Sequence, residues 1–337
     1  MPKILISDAT LRDGAHAVQH QISAKQVAAY AAAADAAGIP IVEVGHGNGT
    51  GASSLQVGES LISDHEMLKV ARENLKHSKL GIFILPGFAT INKDLKPAID
   101  QGVDVIRVAA HCTETDLTER HISYAREKGK EVYSALMMTH MLPIEGLIEE
   151  CHKAESYGSQ GVILMDSAGA YLQNDVREKI SALVAALTIP VGFHAHNNLG
   201  LAIANSIAAA ESGATILDGT ARGFGAGAGN AQIEVLVAVL EKMGYSTGIE
   251  LYKILDASDT AERELVKVIP TIKPISIVSG LAGVFSGFAK HVDRIAKEYG
   301  LDPRDIFFEL GRRKVIAGQE DLIVEVAQQL SKAKEKK

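Results

Sequence analysis

Short apolar runs alternate with longer amphipathic stretches eight times over the first two-thirds of the chain, and few folds accept that rhythm. The runs are Ile4–Ser7, Ile41–Val44, Leu80–Leu85, Val105–Val108, Glu131–Met137, Gly161–Met165, Val191–His194 and Ile216–Leu217. Most are apolar at consecutive positions, the pattern of strands buried on both faces. Between them lie helical stretches at Ser23–Ala37, Asp64–Leu75, Leu95–Gln101, Thr118–Glu127, Ile144–Ser156, Asn174–Leu187 and Leu199–Glu211. Several end at a glycine placed to cap a helix C-terminus, such as Gly38, Gly102 and Gly213. Strands of this kind, each followed by a helix, predict an α/β protein with a parallel sheet. Eight units in about 220 residues fit a (β/α)8 barrel. A doubly wound open sheet is the competing arrangement, with its ligand crevice at a switch in strand order.

Beyond Tyr245 the strand rhythm stops. Glu250–Val268, Val284–Tyr299, Pro303–Leu310 and Glu320–Lys334 read as helices, and the terminal Lys332–Lys337 as a frayed end. The chain therefore divides into a catalytic barrel, 1–245, and a C-terminal helical extension, 246–337.

Of the 337 residues, 34 are basic and 41 acidic, a mildly acidic balance that argues against a nucleic-acid partner. Hydrophobic residues make up 47%, enough for a large core, but no apolar run reaches the roughly 18–20 residues of a membrane span. The N-terminus shows no basic segment followed by a long apolar one, so no signal peptide is expected. Cys112 and Cys151 are the only cysteines, which points to a reduced, cytoplasmic protein.

In such a barrel the chemistry sits at the C-terminal ends of the strands. His194 and His196 lie at the end of the seventh run. Residues i and i+2 of a strand share a face, so the two imidazoles read either as half of a divalent-metal site or as two buried, hydrogen-bonded histidines. Barrel closure sets the first strand beside the eighth and near the seventh, so Asp13, after the first run, can face the same cavity. Two imidazoles and one carboxylate suit Mn²⁺, Fe²⁺, Co²⁺ or Zn²⁺ and leave positions for a substrate. Arg12 and Asp13 read equally as an ordinary surface pair, and His16 as a solvated residue at a helix start. Asp166 and Asp218 follow the sixth and eighth runs and read as site residues or helix caps. The glycine-rich Gly223–Asn230 has no Lys-Ser/Thr ending and comes late in the chain, so it reads as a tight turn at the barrel rim. A Schiff-base aldolase needs a lysine at a strand end, and none is found there.

Taken together, Thr10-Leu11-Arg12-Asp13-Gly14, His194-Ala195-His196-Asn197 and Gly225–Asn230 resemble the barrel superfamily of metal-dependent carbon–carbon lyases and synthases. That group includes hydroxymethylglutaryl-CoA lyase and isopropylmalate synthase. Glu43-Val44-Gly45-His46-Gly47, Arg107–Glu114, Met137–Met141, Met165-Asp166-Ser167, Glu309–Arg313 and Gly318–Asp321 make the chain most similar to its 4-hydroxy-2-oxovalerate aldolase branch. The resemblance spans nearly the whole chain. It implies metal ligation by Asp13, His194 and His196, most often with Mn²⁺ and otherwise Co²⁺ or another divalent ion. It implies a transition-state role for Arg12, a base at His16, and substrate contacts from Arg12, Asp13, Ser167, His194 and residue 285. The implied reaction is class II retro-aldol cleavage of 4-hydroxy-2-oxo acids such as 4-hydroxy-2-oxopentanoate to pyruvate and acetaldehyde. The implied partner is an acylating acetaldehyde dehydrogenase, contacted through the extension.

Phe285, in Gly283-Val284-Phe285-Ser286, stands where this branch carries a tyrosine, which bears on the configuration accepted at the carbinol carbon. Two other readings remain at this point: an acyl-CoA condensing enzyme of the isopropylmalate synthase kind, and a non-catalytic partner subunit.

Overall fold

The computed structural model of the chain describes residues 1–265, 268–316 and 318–335. Eight parallel strands close in chain order into a barrel: β1 (Leu5–Leu11), β2 (Ile41–Val44), β3 (Lys79–Ile84), β4 (Val105–His111), β5 (Glu131–Met137), β6 (Val162–Asp166), β7 (Val191–Ala195) and β8 (Ile216–Gly219). Ser7 pairs with Asp218 where β1 meets β8, which excludes the open sheet. Each strand is followed by a helix: α1 (Ala24–Ala37), α2 (Asp64–Asn74), α3 (Lys96–Asp100), α4 (Glu119–Glu127), α5 (Ile144–Ser156), α6 (Gln173–Ala186), α7 (Ala202–Glu211) and α8 (Ile233–Lys242). α1 shows why these helices start and stop where they do. The Ser23 hydroxyl accepts from the Gln26 backbone N–H, the Gln26 side chain answers at the Ser23 N–H, and Gly38 closes the helix in the left-handed region.

The period-2 alternation of the strands sorts the barrel interior into levels. Leu5, Ile41, Val105 and Ile216 point inward and belong to an apolar plug. Two residues further along each strand stand Ser7, Glu43, Arg107 and Asp218, buried and polar. The strands β1, β4 and β8 run further than expected for this reason. Their polar ends look like loop in the sequence but continue as strand with most of their side chains buried, and Asp218 lies inside β8 rather than after it.

β1 carries an irregularity. Asp8 pairs with Val42 and Leu11 with Val44, so β1 spends three steps where β2 spends two. The extra residue reverses the inward and outward faces. Leu11, which strict alternation from Leu5 and Ser7 would turn inward, packs in the outer core, and Arg12 turns to the barrel interior instead.

The extension contains α9 (Leu251–Glu264), α10 (Pro274–Ala282), α11 (Ala289–Tyr299), α12 (Pro303–Arg312) and α13 (Asp321–Glu335). Ile254, Ala257 and Ala261 of α9 join the barrel's outer core, although α9 lies within the stretch read as extension. A second core begins at Val278 and gathers Phe288, Val292, Phe307, Leu310 and Val326. α10 is unanticipated. The helix expected from Val284 begins at Ala289, after a 3-10 turn at Ser286–Phe288. Lys332–Glu335, read as frayed, continue α13, while Lys336 and Lys337 fall outside the described residues. No helix among the described residues is long and apolar enough to cross a membrane.

Candidate metal centre and substrate cavity

Arg12 and Asp13 leave β1 directly into the barrel mouth. Arg12 is buried among three partners: Nε donates to Glu43 Oε1 at 2.6 Å, and Nη1 donates to Asp13 Oδ1 at 2.7 Å and to the Gly47 carbonyl at 3.4 Å. Its guanidinium lies 4.4 Å from the centroid of the Phe83 ring. Nη2, also buried, has no partner. This pair is therefore no surface ion pair.

Glu43 also faces Arg107, at 3.5 Å from its Nε. Arg107 grips Asp218 with both terminal nitrogens and donates to Ser7 Oγ at 3.0 Å. Asp218 Oδ2 accepts from His194 Nδ1 at 2.8 Å, and His194 Nε2 lies 3.3 Å from His196 Nε2. A buried charge chain thus runs across the barrel from Asp13 to His196. Burial pushes the His196 imidazole down to about 3, so it stays neutral. Burial raises the carboxyls of Asp13 and Asp218, but the facing arginines and histidines outweigh it. Asp218 drops to about 2, and Asp13 is held well below the usual carboxylate range.

Donor atoms of Asp13, His194 and His196 all lie within 4.8 Å of one another. Three observations make this set fit a divalent cation. Asp218 keeps the His194 proton on Nδ1, so the Nε2 lone pair faces His196. The 3.3 Å between the two Nε2 atoms matches the roughly 3.0–3.4 Å that two bonds of about 2.0–2.1 Å to one ion produce. The two arginines and three carboxylates of the chain leave one buried negative charge, which a cation offsets.

The cavity above this centre has a volume of about 400 Å³. Arg12, Asp13, His16, Ser167, His196 and Phe285 all line it. His194 does not; it stands behind His196 against Asp218. Ser167 Oγ accepts from the Met138 N–H at 3.0 Å, which leaves its hydroxyl proton free to donate. His16 is partly buried, and burial lowers its pKa. Asp166 does cap a turn, accepting from the Ala170 and Tyr171 N–H groups, and burial raises it to about 6. Among the described residues no lysine lines the cavity.

The comparisons decide the family. The HMGL-like family matches residues 3–261, and the DmpG-like communication domain matches 270–332. This chain belongs to the HMGL-like family. It is 62% identical over 329 residues to 4-hydroxy-2-oxovalerate aldolase of Spirochaeta aurantia, covering 98% of this chain and 96% of that one. It is 60% identical over 333 residues to the aldolase of the same name from Pectobacterium atrosepticum, covering 99% and 97%. Among solved structures, the carboxyl transferase domain of Rhizobium etli pyruvate carboxylase superposes with a TM-score of 0.82 at 16% identity. The match covers 98% of this chain and 61% of that one, and the likeness is one of fold.

Within this HMGL-like barrel the glycine-rich loop does more than turn. The Asn230 amide donates to Asp13 Oδ2 and to the Phe224 carbonyl, and residue 196 bridges residue 230 through the backbone. A Cβ at Gly225 would lie 2.7 Å from Asp13 Oδ2, so the loop can approach the ligand only as glycine. Glu43 and Asn230, both present in the sequence motifs, are the partners to which sequence reasoning gave no role. Their signal was position alone: Glu43 two residues after an inward apolar residue, Asn230 at the end of the glycine run.

The extension contributes Phe285, Ile316 and Glu320 to the lining of the cavity. His140 Nε2 donates to the Gly283 carbonyl at 2.9 Å, and the Asn198 amide donates to Ser286 Oγ at 2.6 Å and Ser279 Oγ at 3.2 Å. These bonds tie the barrel rim to the turn that presents Phe285.

Proposed function

We propose that the chain is a divalent-metal-dependent carbon–carbon lyase. It cleaves 4-hydroxy-2-oxo acids such as 4-hydroxy-2-oxopentanoate to pyruvate and an aldehyde, here acetaldehyde. The observation that carries this reading is the unpartnered Arg12 Nη2, buried beside three convergent ligands of which Asp13 and His196 line the cavity. Full-length identity to the aldolases above supports it.

Asp13, His194 and His196 would hold the ion, with Mn²⁺ proposed and Co²⁺ next, since the donor set holds no thiolate. When bound, the ion supplies Lewis acidity at the 2-oxo group and carboxylate of the substrate. Cleavage leaves the electron pair of the C3–C4 bond on C3, and its charge spreads to the 2-oxo oxygen. Arg12 Nη2 donates to that oxygen, and its permanent charge needs no proton exchange. His16, neutral at working pH, takes the 4-hydroxyl proton as the aldehyde carbonyl forms, and one proton returned to C3, from the His16 imidazolium or through water, converts the enolate to pyruvate. Ser167 donates to a substrate oxygen from the cavity lining. The rings of Phe83, Phe88 and Phe285, which also line the cavity, offer apolar surface to the alkyl end of the substrate.

Catalysis is assigned to the barrel, 1–245, and partner contact to the extension, 246–337. The match to a communication domain supports an acylating acetaldehyde dehydrogenase as the partner that takes up the aldehyde. The free, buried Cys112 and Cys151 support a cytoplasmic setting. Pyruvate release from 4-hydroxy-2-oxopentanoate, measured after chelation and again after Mn²⁺ is restored, tests the reading. Metal-independent turnover, or none in either state, overturns it.

A further inference from the structure

His20 takes no part in the chemistry above and does not line the cavity, yet three parts of the site meet on it. It is buried, and its backbone is left-handed at φ 63°. Nδ1 accepts the Gly47 N–H at 3.3 Å. The ring stacks on His46 with centroids 3.6 Å apart and planes at 22°, and meets the His16 ring edge-on at 5.0 Å and 71°. His46 is fixed in turn: its Nδ1 accepts the Asn48 N–H at 3.0 Å, and its Nε2 donates to the Gly58 carbonyl at 3.0 Å. Gly58 backs the stack, since a Cβ there would lie 2.8 Å from His20 Cδ2.

Gly47 links this stack to the reaction. Its carbonyl accepts from Arg12 Nη1 at 3.4 Å, and its Cα stands so close to His16 that a Cβ would lie 2.6 Å from Nε2. One backbone residue therefore touches both proposed catalytic side chains, and His20 holds its amide. Left-handed backbone disfavours a side chain, and glycine or asparagine fits it with less strain. What histidine adds at this position is an acceptor aimed at Gly47 and a ring between two others.

We propose that His20 is a positioning residue that sets Arg12 and His16 through its hydrogen bond to the Gly47 amide. The inference rests on the roles given to Arg12 and His16 under Proposed function. Two variants suit the left-handed backbone: His20→Asn, whose Oδ1 takes the place of Nδ1, and His20→Gly, which has no acceptor.

The expected result for His20→Gly is a kcat lower by about 10- to 100-fold, with KM held within about three-fold, as for a small misplacement of reacting groups. Its Mn²⁺ stoichiometry stays that of the wild type, and hydrogen exchange at the Gly47 amide speeds up. His20→Asn recovers most of kcat and the slow exchange. Wild-type kcat in His20→Gly overturns the proposal, as does an Asn variant no better than the Gly variant, or equal Gly47 exchange in all three proteins. The exchange measurement is independent of turnover, so a wild type that protects Gly47 but cleaves no substrate counts against the proposed function and not against this bond.

Discussion

Asp218 accepts from His194 Nδ1 at 2.8 Å and so decides which nitrogen of that imidazole faces His196. The same carboxylate is gripped by Arg107, which ties ligand orientation to the charge chain that also holds Arg12. Replacing Asp218 by Asn keeps the shape but removes the charge and the tautomer preference. Removing an outer partner of a metal-bound histidine typically costs about 10- to 100-fold in metal affinity. Asp218→Asn is expected to weaken Mn²⁺ binding by that factor, read by calorimetry or by the paramagnetic signal of free Mn²⁺. Unchanged affinity would mean that His194 is not held for a metal.

Arg12→Lys tests the fork. A lysine keeps the charge, but its single nitrogen cannot meet Asp13, Glu43 and a substrate oxygen together. Loss of one strong electrostatic donor typically costs about 10²–10³ in kcat. That loss is expected here, with the melting temperature little changed because Glu43 still has a cation beside it. Turnover within a few-fold of wild type would remove Arg12 from the reaction.

His16→Ala is expected to lose activity mainly at low and neutral pH and to recover in part as hydroxide rises. Burial keeps the imidazole pKa low, so the free base is the form present at neutral pH. A pH profile of kcat that is scaled down without a change of shape would argue against proton transfer to His16.

The two imidazoles behind His16 make stability depend on acidity. Burial pushes His20 down to about 3 and His46 to about 4, against an ordinary value of 6.5. The unfolded chain therefore binds more protons than the folded one below about pH 6.5, and stability is lost as pH falls from there toward about 4 for His46 and about 3 for His20. Asp8 and Asp166 act in the opposite sense, since burial raises both to about 6. Comparing His46→Gln with wild type isolates the imidazole term. The variant's melting temperature is expected to fall less over that pH range, and parallel curves would exclude the effect.

The barrel was legible because parallel strands buried on both faces leave uninterrupted apolar runs, and glycine caps mark the helix ends between them. The strand ends were not, because Arg107 and Asp218 pair inside the barrel and His111 faces the cavity, and polar residues at such positions resemble loop. Barrel closure made it legible that Asp13 and the two histidines can share one cavity. The extra residue in β1 was invisible, yet it turns Leu11 outward and Arg12 inward. α10 escaped notice because Pro274–Ala282 carries no charged residue, and even its exposed positions, Ile277 and Leu281, are apolar. Glu43, Asn230 and His20 act through partners far away in sequence, and their roles follow from packing.

Phe285 offers the last test. It lines the cavity and carries no group that can tell one carbinol configuration from the other by hydrogen bonding. A site that binds a hydroxyl with a buried polar partner discriminates far better than an apolar wall. The wild-type chain is therefore expected to cleave both enantiomers of 4-hydroxy-2-oxopentanoate with similar kcat/KM. Phe285→Tyr adds a hydroxyl to that wall without disturbing the His140 bond to Gly283 that anchors the turn. It should raise the preference for one enantiomer by about ten-fold or more, the worth of one good hydrogen bond. Chiral analysis of residual substrate after partial turnover reads the ratio. A strong preference already present in the wild type, unaltered by the tyrosine, would place the stereochemical control elsewhere in the cavity.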